Sequence, residues 1–115
     1  MTIYRSNCFG HLKSLKYKRF ILSVLTISII SPCSASKIIQ YGIKNWPIWE
    51  CEPSTFPWKY DEKEVCLILE GEASIRSDSN QIVEIKSGDL VTFPEGLSCT
   101  WEIHKKIRKH YRFGD

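Results

Sequence analysis

The sequence predicts an all-β fold, a single small barrel or sandwich over residues 38–115, with residues 1–36 forming an extension that is not part of the domain. Two observations carry that expectation. Short runs of β-branched and aromatic residues are separated by turn signals at a spacing of roughly 8–12 residues. No stretch after residue 37 repeats its apolar residues with the period of a helix. A chain of 115 residues holds one domain at most, and its fourteen aromatic residues, four of them Trp, supply core area for so short a barrel.

The predicted elements follow in order. Ile43–Cys51 is aromatic and contains Pro47, which suits an edge or bent entry strand. After a turn at Pro53-Ser54-Thr55, Phe56–Tyr60 places Phe56, Trp58 and Tyr60 on one face. Val65–Leu69 is a strongly apolar strand, predicted to close at Glu70-Gly71-Glu72. Ala73–Arg76 runs into the turn Ser77-Asp78-Ser79-Asn80, and Gln81–Ile85 follows it. Lys86-Ser87-Gly88-Asp89 turns the chain into Leu90–Phe93, which Pro94-Glu95-Gly96 ends. Cys99–Ile103 and Ile107–Phe113 are expected to form a final hairpin around His104-Lys105-Lys106.

The net charge of +3 conceals two unlike parts. Residues 1–36 carry Arg5, Lys13, Lys16, Lys18 and Arg19 with no acid, while residues 37–115 carry eleven Lys/Arg against thirteen Asp/Glu. The basic character therefore belongs to the extension, and no nucleic-acid partner is predicted for the domain. The run Lys105–Lys109 reads as a solvated hairpin tip. Cys8, Cys33, Cys51, Cys66 and Cys99 form no CxxC pair, which argues against a disulfide framework or a zinc site. This cysteine usage favours a cytoplasmic or plastid location.

The extension runs from a basic stretch, Lys16-Tyr17-Lys18-Arg19, through the apolar run Phe20–Ile30 to small residues, Ser31-Pro32-Cys33-Ser34-Ala35-Ser36. That order is the order of an export signal peptide. Its acid-free, Ser-rich character equally fits an organelle transit peptide, and a leader with no function of its own is a third reading. Eleven residues are too few to span a bilayer, which needs about 20.

Two spaced motifs narrow the fold. Glu64 is followed by six residues and Gly71; Gly88 is followed by five residues, Pro94-Glu95-Gly96, two more residues and Cys99. Gly88 and Gly96 suit tight turns whose backbone angles favour glycine. Together these segments resemble the two motifs of the cupin superfamily, which implies a jelly-roll β-barrel. The closer resemblance is to small single-domain cupins grouped with the (S)-ureidoglycine aminohydrolase cupin domain. It is carried by Trp46–Cys51, Phe56–Asp61, Glu64, Cys66, Leu69-Glu70-Gly71, Gly88–Gly96, Cys99-Thr100-Trp101 and Lys109-His110-Tyr111, and spans residues 42–113.

The resemblance also implies a metal set of an HxH pair, a Glu and a second-motif His. Here the HxH positions fall on Trp58 and Tyr60, or on Pro57 and Lys59 if the gap to Glu64 is one residue longer. The Glu is retained as Glu64, and the last His position is Cys99. Glu64 and Cys99 supply two ligands where a metal needs about three. By alternation His104 faces away from the interior, and His110 lies opposite Lys109 and Tyr111. No cofactor is predicted, with a divalent metal on Glu64 and Cys99 as the alternative.

The same alternation sends Trp58, Tyr60, Glu64, Cys99, Trp101, Lys109 and Tyr111 toward the barrel interior as a ligand pocket. Buried charges require partners, so Glu64 is expected to pair with Lys109. Cys51 and Cys66 read as small buried hydrophobes. The favoured function is metal-independent binding of a small polar or carbohydrate-like ligand. One alternative is a hydrolase, isomerase or oxygenase that uses Glu64 and Cys99, the latter a nucleophile if Lys109 stabilised its thiolate. The other is a structural module that forms a homodimer through an exposed β edge. No catalytic residue is assigned, and no stable membrane span is expected.

Overall fold

The computed structural model describes residues 25–115. Its strands are β1 (Ser28–Ile30), β2 (Ile48–Cys51), β3 (Ser54–Lys59), β4 (Glu64–Ser77), β5 (Ile82–Lys86), β6 (Leu90–Phe93) and β7 (Ser98–Phe113). A short helix, α1 (Ala35–Gln40), and a single 3-10 turn, Ile43–Asn45, lie between β1 and β2. All seven strands join one antiparallel sheet, which is the all-β jelly roll that the sequence predicts.

Two long strands organise the sheet. β4 and β7 pair with one another from Glu64↔Phe113 to Ser77↔Cys99. The outer edge of each is shared by two short strands. β6 pairs with Glu64–Leu67 and β5 with Glu72–Arg76 along β4. β2 pairs with the Ile107–His110 half of β7, and β3 with the Ser98–Ile103 half.

This corrects two sequence expectations. Glu70-Gly71-Glu72 does not end a strand, and His104-Lys105-Lys106 is not a hairpin tip. Both segments lie inside the β4–β7 ladder, where the register shifts between Ile68 and Ala73. Such bulges bend a strand without ending it, so one bent pair takes the place of separate strands. The polar residues there have the composition of turns, but they are the solvent-facing positions of strands: Glu72 and Lys105 form an exposed ion pair at 3.4 Å.

The outer boundary of the fold also moves. The basic stretch and the first five residues of the apolar run, 20–24, lie outside the described residues. Residues 27–30, however, belong to the barrel: Ser28, Ile29 and Ile30 pair with Thr92, Val91 and Leu90. Ile27 is buried in the main core. Gln81 holds it on both sides, its Oε1 accepting from the Ile27 amide at 2.9 Å and its Nε2 donating to the Ile27 carbonyl at 3.1 Å. The β-branched residues at the end of the apolar run are strand formers, and β6 would otherwise leave its edge unpaired.

The core occupies both faces of the sheet. Inside, Cys66, Ile68, Ala73, Ile75, Ile85, Val91, Phe93, Trp101 and Ile107 pack together. Outside, Leu67 and Leu90 are covered by Ile43, with Cys33, Ile38 and Trp46 around them. The continuous apolar run of β4 follows from this double burial: alternate residues serve opposite faces. Among the described residues no helix is long and apolar enough to cross a membrane.

Candidate functional site

β2, β3, β4 and β7 converge on a cavity of about 290 Å³. Trp49 from β2, Phe56 and Trp58 from β3, Glu64 from β4, and Trp101, Lys109, Tyr111 and Phe113 from β7 line it, with Tyr60 just beyond β3. Strand alternation selects these side chains: Phe56 and Trp58 on β3, and Trp101, Lys109, Tyr111 and Phe113 on β7, are all same-parity positions. The structure therefore brings together Trp58, Tyr60, Glu64, Trp101, Lys109 and Tyr111 of the expected pocket residues.

Cys99 is not among the lining residues. It is 3% exposed, packs in the main core, and stands opposite Trp58 in the β3–β7 ladder. Burial pushes its thiol up to about 12, with the negative charges of Asp78 and Glu64 adding to the shift; Lys109 pulls the other way without overcoming them. The thiolate stabilisation by Lys109 that a nucleophile would need does not win. Cys66 is fully buried, and its thiol is likewise raised by burial; Cys51 is half-buried. Trp49, Phe56 and Phe113 complete the walls and are additional to the pocket residues expected from the sequence. Phe56 is legible in the sequence, since it shares the face of Trp58 and Tyr60. Trp49 is hidden there because Pro47 and the 3-10 turn obscure where β2 starts.

Aromatic rings make the walls. Phe56 stacks on Trp101 with centroids 6.1 Å apart and planes at 8°, and Trp49 meets both of them edge-on. Trp58 bridges Phe56 and Tyr60 through two further edge contacts, each at 6.3 Å. Tyr60 stacks on Phe93 at 4.9 Å. Trp58 is half-buried at the rim, whereas Trp101 is 2% exposed.

One charged pair sits among these rings. The Lys109 Nζ lies 2.8 Å from Glu64 Oε2, with both side chains buried, the pairing that the cost of burying a charge predicts. The same ammonium stands 4.7 Å from the ring centres of both Trp49 and Trp101. Each such cation–π contact contributes roughly 0.5–2 kcal/mol. Burial drives the Lys109 ammonium toward its neutral form, but the neighbouring Cys66 sulfur and Glu64 carboxylate oppose this, and its pKa ends above the ordinary lysine value. Lys109 is therefore a held cation and not a free amine. Burial, then the Glu64 charge, raises the Tyr60 phenol well above its usual value, so it stays protonated.

The two histidines of the described residues have other partners. His104 contacts the Ser74 hydroxyl on the outer surface, and His110 Nδ1 contacts the Trp46 carbonyl. Neither lines the cavity. Among the described residues no group of three or more His, Cys, Asp or Glu side chains is placed to hold a metal ion. The positions resembling a metal set do not fit one: Trp58 and Tyr60 present an indole and a protonated phenol, and Glu64 already faces an ammonium. The alternative metal pair of Glu64 and Cys99 does not meet in the cavity. The arrangement can stack flat apolar faces and hydrogen-bond to polar groups, and it offers no paired nucleophile and base.

Known proteins agree with this fold. The model of the EutQ-like cupin domain matches residues 40–111. A DUF861 family protein of Thermotoga maritima is similar over 76% of this chain and 99% of its own length, at 40% identity and a TM-score of 0.74. EutQ-type proteins of Salmonella typhimurium and Clostridium difficile show the same fold at 25% and 24% identity, each over 58% of this chain, covering 54% and 52% of their lengths; both give a TM-score of 0.54. No curated protein matches.

Proposed function

The chain belongs to the EutQ-like cupin domain family, and on that premise we propose that its barrel binds a small polar or carbohydrate-like molecule without a metal. The observation that carries this reading is the cavity itself: aromatic walls around one buried, oriented ion pair. A volume of about 290 Å³ is at the lower end of the range for ligand pockets, which limits the ligand to metabolite size. Indole and phenyl faces stack on the C–H face of a sugar ring, and Glu64 and Lys109 supply an acceptor and a donor for its hydroxyls. The aminohydrolase chemistry of the ureidoglycine family is not carried over, because the residues that would bind its metal are replaced at Trp58, Tyr60 and Cys99.

A thermal-shift panel of neutral monosaccharides and polyols tests this, run beside Trp58→Ala. A ligand that binds only the folded state raises the melting temperature in proportion to RT ln(1 + [L]/Kd). The reading expects at least one member of the panel to do so, with the shift reduced in Trp58→Ala. A panel that leaves the native protein unmoved, or shifts both proteins equally, removes the cavity from consideration as a sugar site.

A further inference from the structure

We infer that Lys109 is the built-in cation of this cavity: its ammonium stands against Glu64 where a divalent metal would have to stand, and the pair forms an electrically neutral donor–acceptor site for an uncharged ligand oxygen. The inference rests on the cavity being a binding site, as proposed above.

A cation bound beside Glu64 would have to enter the space around its carboxylate. The Lys109 Nζ is already there, 2.8 Å from Oε2. Two indole faces enclose the same ammonium, each centred 4.7 Å away. A metal at that point would meet a fixed like charge, and like charges a few ångströms apart in a poorly hydrated site repel strongly. Around it stand Trp49 and Trp101, neither of which is a good metal ligand.

The ammonium can do part of what a metal does. It neutralises Glu64 and holds it in place. An ammonium carries three N–H donors, and Glu64 occupies one direction. Among the described residues no other side chain forms an ion pair with either group, and neither is counted with the buried polar atoms that lack a partner. Both line the cavity. A ligand hydroxyl or carbonyl oxygen can accept from Lys109 while a neighbouring hydroxyl donates to the Glu64 carboxylate. Because the pair sums to zero charge, an acid or an amine gains no net Coulomb attraction to offset the cost of leaving water. Neutral vicinal hydroxyls suit both partners.

The test has three arms. First, the native protein is melted with MnCl2, NiCl2 and ZnCl2 separately, and its metal content is measured after dialysis. No rise in melting temperature and no retained metal are expected. Stoichiometric metal that Glu64→Gln abolishes would overturn the inference. Second, Lys109→Met is compared with the double variant Glu64→Gln/Lys109→Met. The single change leaves a buried carboxylate unpaired and lowers the melting temperature by roughly 10 °C or more, or abolishes folding. The double variant is expected to recover at least half of that loss, and a double variant no more stable than the single one would sink the idea. Third, glucose, gluconate and glucosamine are compared at equal concentration. Glucose is expected to stabilise most, and its effect to vanish in the double variant. A larger shift with either charged analogue overturns the neutral-ligand inference. No shift with any of the three overturns the sugar-like reading alone, since the first two arms decide the role of Lys109 without a ligand.

Discussion

Gly71 lies against the Lys106 carbonyl so closely that a Cβ at position 71 would stand 2.1 Å from the oxygen, with the Lys105 carbonyl 2.7 Å away. This contact is where the β4–β7 ladder shifts register, and the Gly71 φ of +103° is one that side-chain-bearing residues avoid. Gly71→Ala must therefore part the two strands that organise the barrel. We expect a loss of more than about 3 kcal/mol in denaturant unfolding. Gly96→Ala is the control: φ is +89°, but nothing lies within 4 Å of the added carbon. It is expected to cost only about 1–2 kcal/mol of backbone strain. Equal losses would show that the close approach is not what makes Gly71 necessary.

The β1 strand gives a second prediction. A chain starting at Lys37 loses the burial of Ile27, the Gln81 clamp and the pairing with β6. Burial of one isoleucine alone contributes roughly 1.5–3 kcal/mol. Compared with a chain starting at Leu25, it should melt at least 10 °C lower, at about 4–8 °C per kcal/mol. It should also self-associate through the uncovered β6 edge in size-exclusion chromatography. Identical melting and elution of the two chains would make β1 dispensable.

Asp89 ties three segments together. It is buried, and its carboxylate accepts from the Lys86 amide at 2.9 Å and from the Ser31 hydroxyl at 2.5 Å. The backbone of the same turn bonds Gly88 to Ile68 at 2.8 Å and to Cys33 at 2.8 Å. Asp89→Ala leaves the Lys86 amide and Ser31 hydroxyl without this acceptor and should cost about 1–3 kcal/mol. Asp89→Asn keeps an acceptor oxygen and should cost less. Urea midpoints for the two variants would separate them, and equal midpoints would exclude the hydrogen bonds as the cause.

Stability should fall in alkali. Cys66, Cys99 and Tyr60 are raised by burial, so each binds its proton more tightly folded than unfolded. Their contribution is whole below the unfolded pKa values, about 8.5 for Cys and 10 for Tyr, and is lost as pH rises toward the folded values. For Cys99 that window closes at about 12. Lys109 is raised as well, so its pairing is intact below the unfolded lysine value of about 10.4 and lost above its folded one. Each group withdraws roughly 1.4 kcal/mol per pH unit while it titrates only in the unfolded state. Melting temperature should decline from about pH 8.5 upward, and Cys99→Ala should flatten the first part of that decline. A variant with the native slope would remove Cys99 from this account.

Much of the site is legible in the order of residues alone. Strand alternation is local geometry, so the inward parity of Trp101, Lys109 and Tyr111 follows from their spacing. The cost of burying a charge then pairs Glu64 with Lys109, although 44 intervening residues separate them. Spacing does not say how far each strand runs. Glu70-Gly71-Glu72 and His104-Lys105-Lys106 have turn-like composition, and only their mutual pairing keeps both segments extended.

By itself, then, the sequence determined the all-β class, the two glycine turns, and the inward face of β3 and β7. The tertiary structure alone decided that residues 27–30 belong to the barrel, that Cys99 packs in the core and not on the cavity wall, and that two tryptophans enclose the Lys109 ammonium. The reason is physical. Period and composition report the face of a strand, which depends on its own residues; partner, register and enclosure depend on residues far along the chain that meet only when the sheet has rolled up.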